Sequence, residues 1–383
     1  MTTPSPAQPA AHMLLEIREQ PDAIRAAVDA AIAPAQQIAA ELAARQIDQI
    51  VIAARGTSDH AALYGQYLFQ YLNAIPVTLA TPSLFTVYHG TLRLDHALVI
   101  GISQSGESPD VVEVVAAARR SGAYTVGITN VDGSPLAQTA DQTLLCHAGL
   151  EQSVAATKTY TTTCAILATL AAMLPGGEAL RASLPRLPDL VSAALGVEET
   201  VARVVTRYVY ARDCIVLGRG FQYSTAREAA LKLEETCYVI STPFSSSDFR
   251  HGPAALIQRG VPVMLFAPPG RTGDEAHELL LWLRERDADC VVVSGEGRLL
   301  ELATRAIPLH LPFDSAAERA DGSSAPAADQ VADHAGIGAV SVAELLAPIP
   351  YIVPGQLFAH YLALEKGLDP DHPRGLSKVT RTY

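Results

Sequence analysis

Residues Ala97 to Gly122 read ALVIGISQSGESPDVVEVVAAARRSG. The apolar run Ala97 to Ile102 predicts a buried strand, with the polar loop Ser103-Gln104-Ser105-Gly106-Glu107-Ser108 after it. Ser108 stands at the N-cap of a helix, with Pro109 at the first position, where a missing N–H costs nothing. Val111, Val112, Val115, Ala116 and Arg119 follow at helical spacing, and Gly122 suits the C′ stop. A strand feeding a helix through such a loop aims free backbone N–H groups and the positive end of a helix dipole at one point. The serine hydroxyls and the Gln104 amide add donors there. Two readings fit: a phosphate cradle, or an ordinary turn whose serines cap the helix. It is not a Walker loop, since no lysine follows a glycine, and Gly101-x-Ser103-x-Ser105 just misses a nucleophile elbow.

The same strand–loop–helix unit recurs outward from this stretch. Residues 1–10 read as a disordered tail and 11–48 as N-terminal helices. Gln49 to Ala54 is a strand, followed by Arg55-Gly56-Thr57-Ser58-Asp59-His60 and a helix through Gln70. Ile75 to Ala80, Ala123 to Thr129 and Gln142 to Cys146 are further strands, and a Thr/Ala-rich helix spans about Ser153 to Leu174. Strands alternating with helices predict a parallel, doubly wound sheet over 49–175, with ligands beyond the carboxyl ends of the strands at the switch in strand order. Gly56-Thr57-Ser58 and Ser103 to Ser108 both follow strands, so one ligand can meet both.

Pro175 to Pro188, with three prolines and two glycines, reads as a linker within a linker-and-helix segment 176–205. The pattern then restarts over 206–345. Cys214 to Leu217 ends in Gly218-Arg219-Gly220, an echo of Arg55-Gly56-Thr57, and Tyr238–Thr242, Pro262–Ala267, Cys290–Ser294 and Ile307–Leu311 complete the set. This predicts an internal duplication: two tandem α/β domains, each a flavodoxin-like three-layer sandwich. Residues 313–340 read as a flexible Ala/Asp/Ser/Gly-rich insertion, and 346–383 as a C-terminal helix and tail.

Composition narrows the function class. A net charge of −12 without a Lys/Arg cluster disfavours nucleic acid and anionic membranes as partners. Apolar runs break well before the ~20 residues of a membrane span. The Pro/Ala/Thr start carries no basic n-region, so no signal peptide is expected. Five widely spaced cysteines without a CxxC pair suit buried thiols in a reducing cytoplasm, and no His/Cys spacing argues for a metal.

Three places could carry chemistry. REAALKLEETC, Arg227 to Cys237, predicts a helix with a capping box of Thr225 and Glu228, and it sets Glu228, Lys232 and Glu235 on one stripe. That stripe is either a salt-bridged solvent face or a carboxylate held near a lysine for proton transfer. His251 lies in a loop beside a Gly-Pro turn and could titrate near neutrality. Lys378 lies near the C-terminus, either idle in solvent or on a tail that closes a site.

Residues 13–383 resemble the isomerase half of glucosamine-6-phosphate synthase, a tandem pair of sugar isomerase (SIS) domains. The matching motifs occur in family order: MLLEIREQP, RGTS, SQSGES, EQSVAATKTYTT, GRG, EAALKLEE, RHGP, LAPIPYIVPGQL and DPDHPRGLSK. The resemblance implies a homodimer that handles 6-phosphorylated hexoses or hexosamines without a cofactor. It implies that Ser103, Gln104, Ser105 and Ser108 hold the phosphate and that Ser58, with Thr57, meets the sugar. Glu235 would be the base between C1 and C2, with Lys232 orienting it or the substrate. His251 would assist ring opening from the neighbouring subunit, and Lys378 would engage the open-chain carbonyl. The backbone of Val154 to Ala156 would line the pocket.

Departures from the family pattern are Ser108 in place of Thr and Ala156 in place of Ser. No cysteine precedes Cys146 to act as a glutaminase nucleophile, so a chain that does not draw ammonia from glutamine by itself is expected. The tail PRGLSKVT is similar to SIS-type glucosamine-6-phosphate deaminases. The first reading is therefore an isomerising deaminase, converting glucosamine 6-phosphate and water to fructose 6-phosphate and ammonia. The alternatives are a plain aldose–ketose phosphosugar isomerase, a fructosamine-6-phosphate deglycase, and a non-catalytic sugar-phosphate sensor.

Overall fold

Each half of the chain folds as a five-stranded parallel sheet, in a computed structural model describing residues 11–312 and 340–378. The first contains β1 (Gln49–Ala53), β2 (Val77–Leu79), β3 (Ala97–Ile102), β4 (Tyr124–Thr129) and β5 (Gln142–Leu145), in the order β2-β1-β3-β4-β5. The second contains β6 (Asp213–Gly218), β7 (Ile240–Ser245), β8 (Pro262–Phe266), β9 (Asp289–Ser294) and β10 (Arg305–Pro308). Its order, β10-β9-β8-β6-β7, is the first sheet's order read from the opposite edge, and every pair in it is parallel. The duplication expected from the sequence is thus present in the strand order, and each sheet reverses direction between its first and third strands.

Residues alternate across each sheet with the period of two that a strand demands. Ile50, Ile52, Leu98 and Ile100 face the core shared with the long helices, whereas Val51, Ala53 and Val99 face the Pro109–Arg120 helix. Gly101 in β3 has a packing reason. A Cβ there would lie 2.6 Å from Val115 Cγ2, so the helix after the polar loop could not rest on the strand.

Between the sheets lie the helices Gln20–Arg45, Lys158–Met173, Gln222–Cys237 and Pro348–Glu365. Lys158–Met173 is buried along its whole length. The apolar stretch Val342–Glu365 is long enough to cross a membrane by composition, yet 89% of its most apolar window is buried inside the protein. It is a core helix.

Three local expectations need correction. The segment 175–188 is no linker. It forms the Glu178–Ser183 helix, a 3-10 turn and the start of the Leu187–Leu195 helix, with Leu180, Leu184 and Leu187 buried. Pro185 and Pro188 sit in first turns, where proline is tolerated. The Thr/Ala-rich helix begins at Lys158, not Ser153. The helix carrying Glu228 begins at Gln222, so Thr225 lies inside it and no capping box forms. The expected tail 1–10 and all but Val340 of the insertion 313–340 lie outside the described residues.

Candidate active site

The crevice forms where β1 and β3 diverge. These strands pair in register from Gln49↔Ala97 to Ala53↔Gly101, and their chains then leave to opposite sides of the sheet. Arg55 to Ser58, Ser103 to Ser105 and Ser108 line the resulting cavity of ≈ 320 Å³. Val154, Ala156, Glu235 and Lys378 complete its wall together with Tyr160 and Thr163.

Gly106 makes the polar loop possible. It adopts φ +66°, and a Cβ there would lie 2.1 Å from Ser134 Oγ. Asn130 N and Thr129 Oγ1 both donate to the Gln104 carbonyl (2.9 and 3.2 Å), which anchors the loop to the next strand. Ser108 does occupy the N-cap position of the Pro109–Arg120 helix, but its side chain makes no capping bond. Among the described residues no partner takes the Ser58, Ser103 or Ser108 hydroxyl, and Ser105 Oγ accepts only the Glu107 N–H (3.2 Å). Gln104 Nε2 donates to Glu151 Oε2 (3.5 Å), so the hydroxyls are the loop's unengaged donors.

Glu235 comes from the second half of the chain. The Gln222–Cys237 helix lies against the Thr57–Asn73 helix, joined by Thr57 Oγ1 donating to Glu228 Oε1 (3.0 Å) and by His60 Nδ1 2.7 Å from Glu228 Oε2. Lys232 Nζ reaches Glu235 Oε2 (2.5 Å), Glu228 Oε1 (3.4 Å) and Thr57 Oγ1 (3.2 Å). Glu228 and Lys232 have fully buried side chains, so their stripe is not a solvent face. Burial alone would lower the Lys232 pKa. The two carboxylates outweigh it and raise the pKa above its ordinary value, so Lys232 stays charged. Glu235 keeps 22% of its side chain exposed, on the cavity side. The Thr57 hydroxyl is already engaged by Glu228 and Lys232.

Lys378 arrives on the tail. The tail is pinned where Asp371 accepts the N–H groups of His12 and Met13 (both 2.7 Å) and where Val154 N donates to the Asp371 carbonyl (3.2 Å). Lys378 Nζ then donates to the Ser153 carbonyl (2.6 Å) and to Glu151 Oε2 (3.1 Å). Burial works against charge on Glu151. The Lys378 ammonium and bonds from Thr159 and Thr157 outweigh it and hold the Glu151 pKa below the usual carboxylate value. Behind this loop, Glu16 Oε1 accepts the Gln152 and Ser153 N–H groups. Burial, with Glu151 adding to it, pushes the Glu16 pKa up to about 7 against those hydrogen bonds.

Thus Thr57, Ser58, Ser103, Gln104, Ser105, Ser108, Val154, Ala156, Glu235 and Lys378 meet at one cavity, with Lys232 directly behind Glu235. His251 does not. It is exposed at the end of the Ser246–Arg250 helix, outside the cavity lining. Sequence reading missed Arg55, Tyr160, Glu151 and Glu16 as individual residues of the site. Glu16 left a signal: with Met13 and Ile17 it falls on the apolar face of its helix.

The loop after β6 meets the first half instead. Phe221, following β6, packs on Tyr67 and Tyr71 with ring centroids 5.7 and 6.2 Å apart.

The SIS domain pattern matches residues 44–173 and 208–303, one match on each half. The chain belongs to the SIS domain family. This SIS protein is 36% identical over 371 residues to a glutamine–fructose-6-phosphate aminotransferase (isomerizing) of Pyrococcus horikoshii, covering 96% of this chain and 57% of that protein. The chain therefore spans little more than half the length of the curated relatives it matches. A crystal structure of a protein assigned as a phosphosugar isomerase from Silicibacter pomeroyi is 32% identical, with a TM-score of 0.78, covering 94% of this chain and all of that one. The C-terminal domain of glucosamine-fructose-6-phosphate aminotransferase from Francisella tularensis is 25% identical, with a TM-score of 0.80, over 96% of this chain and 100% of that one.

Proposed function

We propose that this SIS protein is an isomerising glucosamine-6-phosphate deaminase, converting glucosamine 6-phosphate and water to fructose 6-phosphate and ammonia. The observation that carries the reading is the position of Glu235, held at 2.5 Å by the Lys232 ammonium on the wall of a cavity that the serines of the Ser103–Ser108 loop also line. A C1–C2 rearrangement needs one carboxylate that takes a proton from carbon and returns it to the neighbouring carbon. The names of the relatives supply the substrate class, since they describe an isomerising transfer of an amino group to fructose 6-phosphate.

In this reading the Ser103, Gln104, Ser105 and Ser108 donors and the first turn of the Pro109–Arg120 helix bind the phosphate, fixing the far end of the sugar so that its C1–C2 end meets Glu235. Ser58 and the Val154 and Ala156 backbone orient the hydroxyls. After ring opening, Glu235 takes the C2 proton, leaving an enolamine. Lys378 stabilises the negative charge that develops on the C1 oxygen. Glu235 returns the proton to C1, giving an imine at C2. Water adds to C2, ammonia leaves, and the C2 carbonyl of fructose 6-phosphate remains. His251 assists ring opening from a second copy in a homodimer, which suits its exposed place outside the cavity of its own chain. The reaction takes place in the cytoplasm without a cofactor.

Running the reaction in D2O tests the base. Deuterium at C1 of newly formed fructose 6-phosphate supports a proton exchanged on Glu235. Product with no solvent deuterium at C1, alongside full activity of Glu235→Gln, contradicts it. A plain aldose–ketose isomerase is the second reading, favoured by the likeness to the Silicibacter pomeroyi protein.

A further inference from the structure

Among the described residues, Arg55 is the one arginine on the wall of the cavity. It leaves β1 immediately before Gly56, and its Nε and Nη2 both donate to Asp110 Oδ2 (3.0 and 2.7 Å). Asp110 lies two residues beyond Ser108, in the first turn of the helix that the polar loop feeds. The guanidinium is thereby tied to the helix at the mouth of the donor loop. Its side chain stays 50% exposed while that of Asp110 is only 5% exposed. Arginine carries five N–H donors in a rigid fork, and Asp110 takes one edge of it. Among the described residues nothing takes Nη1.

The duplication supplies an internal comparison. Arg219 follows β6 as Arg55 follows β1, and it too precedes a glycine of positive φ, Gly220 at +58° against Gly56 at +55°. Arg219 Nε donates to Glu275 Oε2 (2.9 Å), in the first turn of the Gly273–Arg284 helix, just as Arg55 pairs with Asp110. In the second half, however, Arg219 Nη1 donates to Ser247 Oγ (3.0 Å). The same arginine–carboxylate pairing thus occurs in both halves. In the second, Ser247 takes the Nη1 edge. In the first, the arginine lines a cavity and, among the described residues, keeps Nη1 without a partner.

We infer that Arg55, steered by Asp110, donates through its free edge to the phosphate of the bound sugar phosphate and sets the preference for a dianionic phosphomonoester. The inference rests on reading the Ser103 to Ser108 loop as the phosphate site. The loop itself brings only neutral donors, whose bonds to a phosphate are weaker than a guanidinium fork. Asp110 serves two ends: it fixes the rotamer of Arg55, and it carries a negative charge that would repel phosphate if Arg55 were removed.

That second property dictates the test, because Arg55→Ala alone would weaken phosphate binding merely by exposing Asp110. The informative comparison is D110N against R55A/D110N in the full chain. Inorganic phosphate is titrated as the probe, and kcat and KM are measured with glucosamine 6-phosphate. With Asp110 neutral in both, R55A/D110N should bind phosphate about 10- to 100-fold more weakly than D110N, the range for a lost hydrogen bond to a charged group, with KM rising more than kcat falls. Arg219→Ala, which removes the equivalent arginine of the second half, should leave phosphate affinity unchanged.

Equal phosphate affinity of D110N and R55A/D110N would overturn the inference while leaving the phosphate site standing. A wild-type protein that binds neither phosphate nor any hexose 6-phosphate would overturn the proposed function and this inference together. Should R55A/D110N fail to fold, Arg55→Lys decides. It keeps the charge but not the fork, so several-fold weaker phosphate binding supports the contact and unchanged affinity contradicts it.

Discussion

Lys232 Nζ lies 2.5 Å from Glu235 Oε2 and 3.4 Å from Glu228 Oε1, with no solvent-exposed surface on its own side chain. A single buried ammonium therefore separates two carboxylates on successive turns of one helix. Only one of them, Glu235, opens to the cavity. Removing one member of a buried ion pair leaves the other charge uncompensated, at a cost of about 3–5 kcal/mol. Lys232→Met, similar in shape but neutral, is expected to lower stability by an amount in that range and to abolish measurable turnover. Denaturant unfolding with matched kinetics checks both. A stable, active Lys232→Met would remove the lysine from the account.

Glu235→Gln keeps the size of the side chain and removes its ability to accept a proton. Turnover should fall by about 10²- to 10⁴-fold, the usual contribution of a positioned general base, while hexose 6-phosphates still raise the melting temperature. Loss of ligand binding together with turnover would instead make Glu235 a binding residue.

Ser105→Ala and Ser108→Ala each delete one hydroxyl from the donor loop. A hydrogen bond to a charged partner contributes about 1.5–3 kcal/mol, so KM should rise at least about tenfold with kcat nearly unchanged. Equal KM values for wild type and both variants would return the loop to the role of a capping turn.

Much of this arrangement is legible before folding. The apolar run Ala97–Ile102, ending in serines and followed by Pro109, marks a strand, a polar loop and a helix start by local chemistry alone, and the structure has that strand and that helix. What local chemistry cannot fix is which face of a helix is covered. Glu228 and Lys232 sit four apart in any helix, and only the Thr57–Asn73 helix packing over them makes the pair buried. Proline misleads in the same way. Pro185 and Pro188 read as breaks, yet they open helices whose leucines are buried. Glu151 and Glu16 escaped notice because the contacts that place them at the site come from more than a hundred residues away, Lys378 for one and the Gln152–Ser153 turn for the other.

Glu16 gives the protein a pH dependence of known sign. Its pKa is raised by burial from the ordinary 4.5 to about 7, so the folded protein holds this proton more tightly than the unfolded chain. Its contribution to stability is present at low pH and is lost as pH rises from about 4.5 to about 7. Glu16→Gln imitates the protonated carboxyl at every pH. The melting temperature of Glu16→Gln relative to wild type should therefore climb between pH 5 and pH 8. A difference that stays flat across that window would show that Glu16 does not titrate there.

The central claim is that this site releases nitrogen from an amino sugar phosphate. The most direct test is to give purified protein glucosamine 6-phosphate and to follow ammonia and fructose 6-phosphate in the same reaction. The account predicts both products in equal amounts, formed about 10²- to 10⁴-fold more slowly by Glu235→Gln. Glucosamine 6-phosphate that binds and stabilises the protein, yet yields no ammonia over many hours, would contradict it.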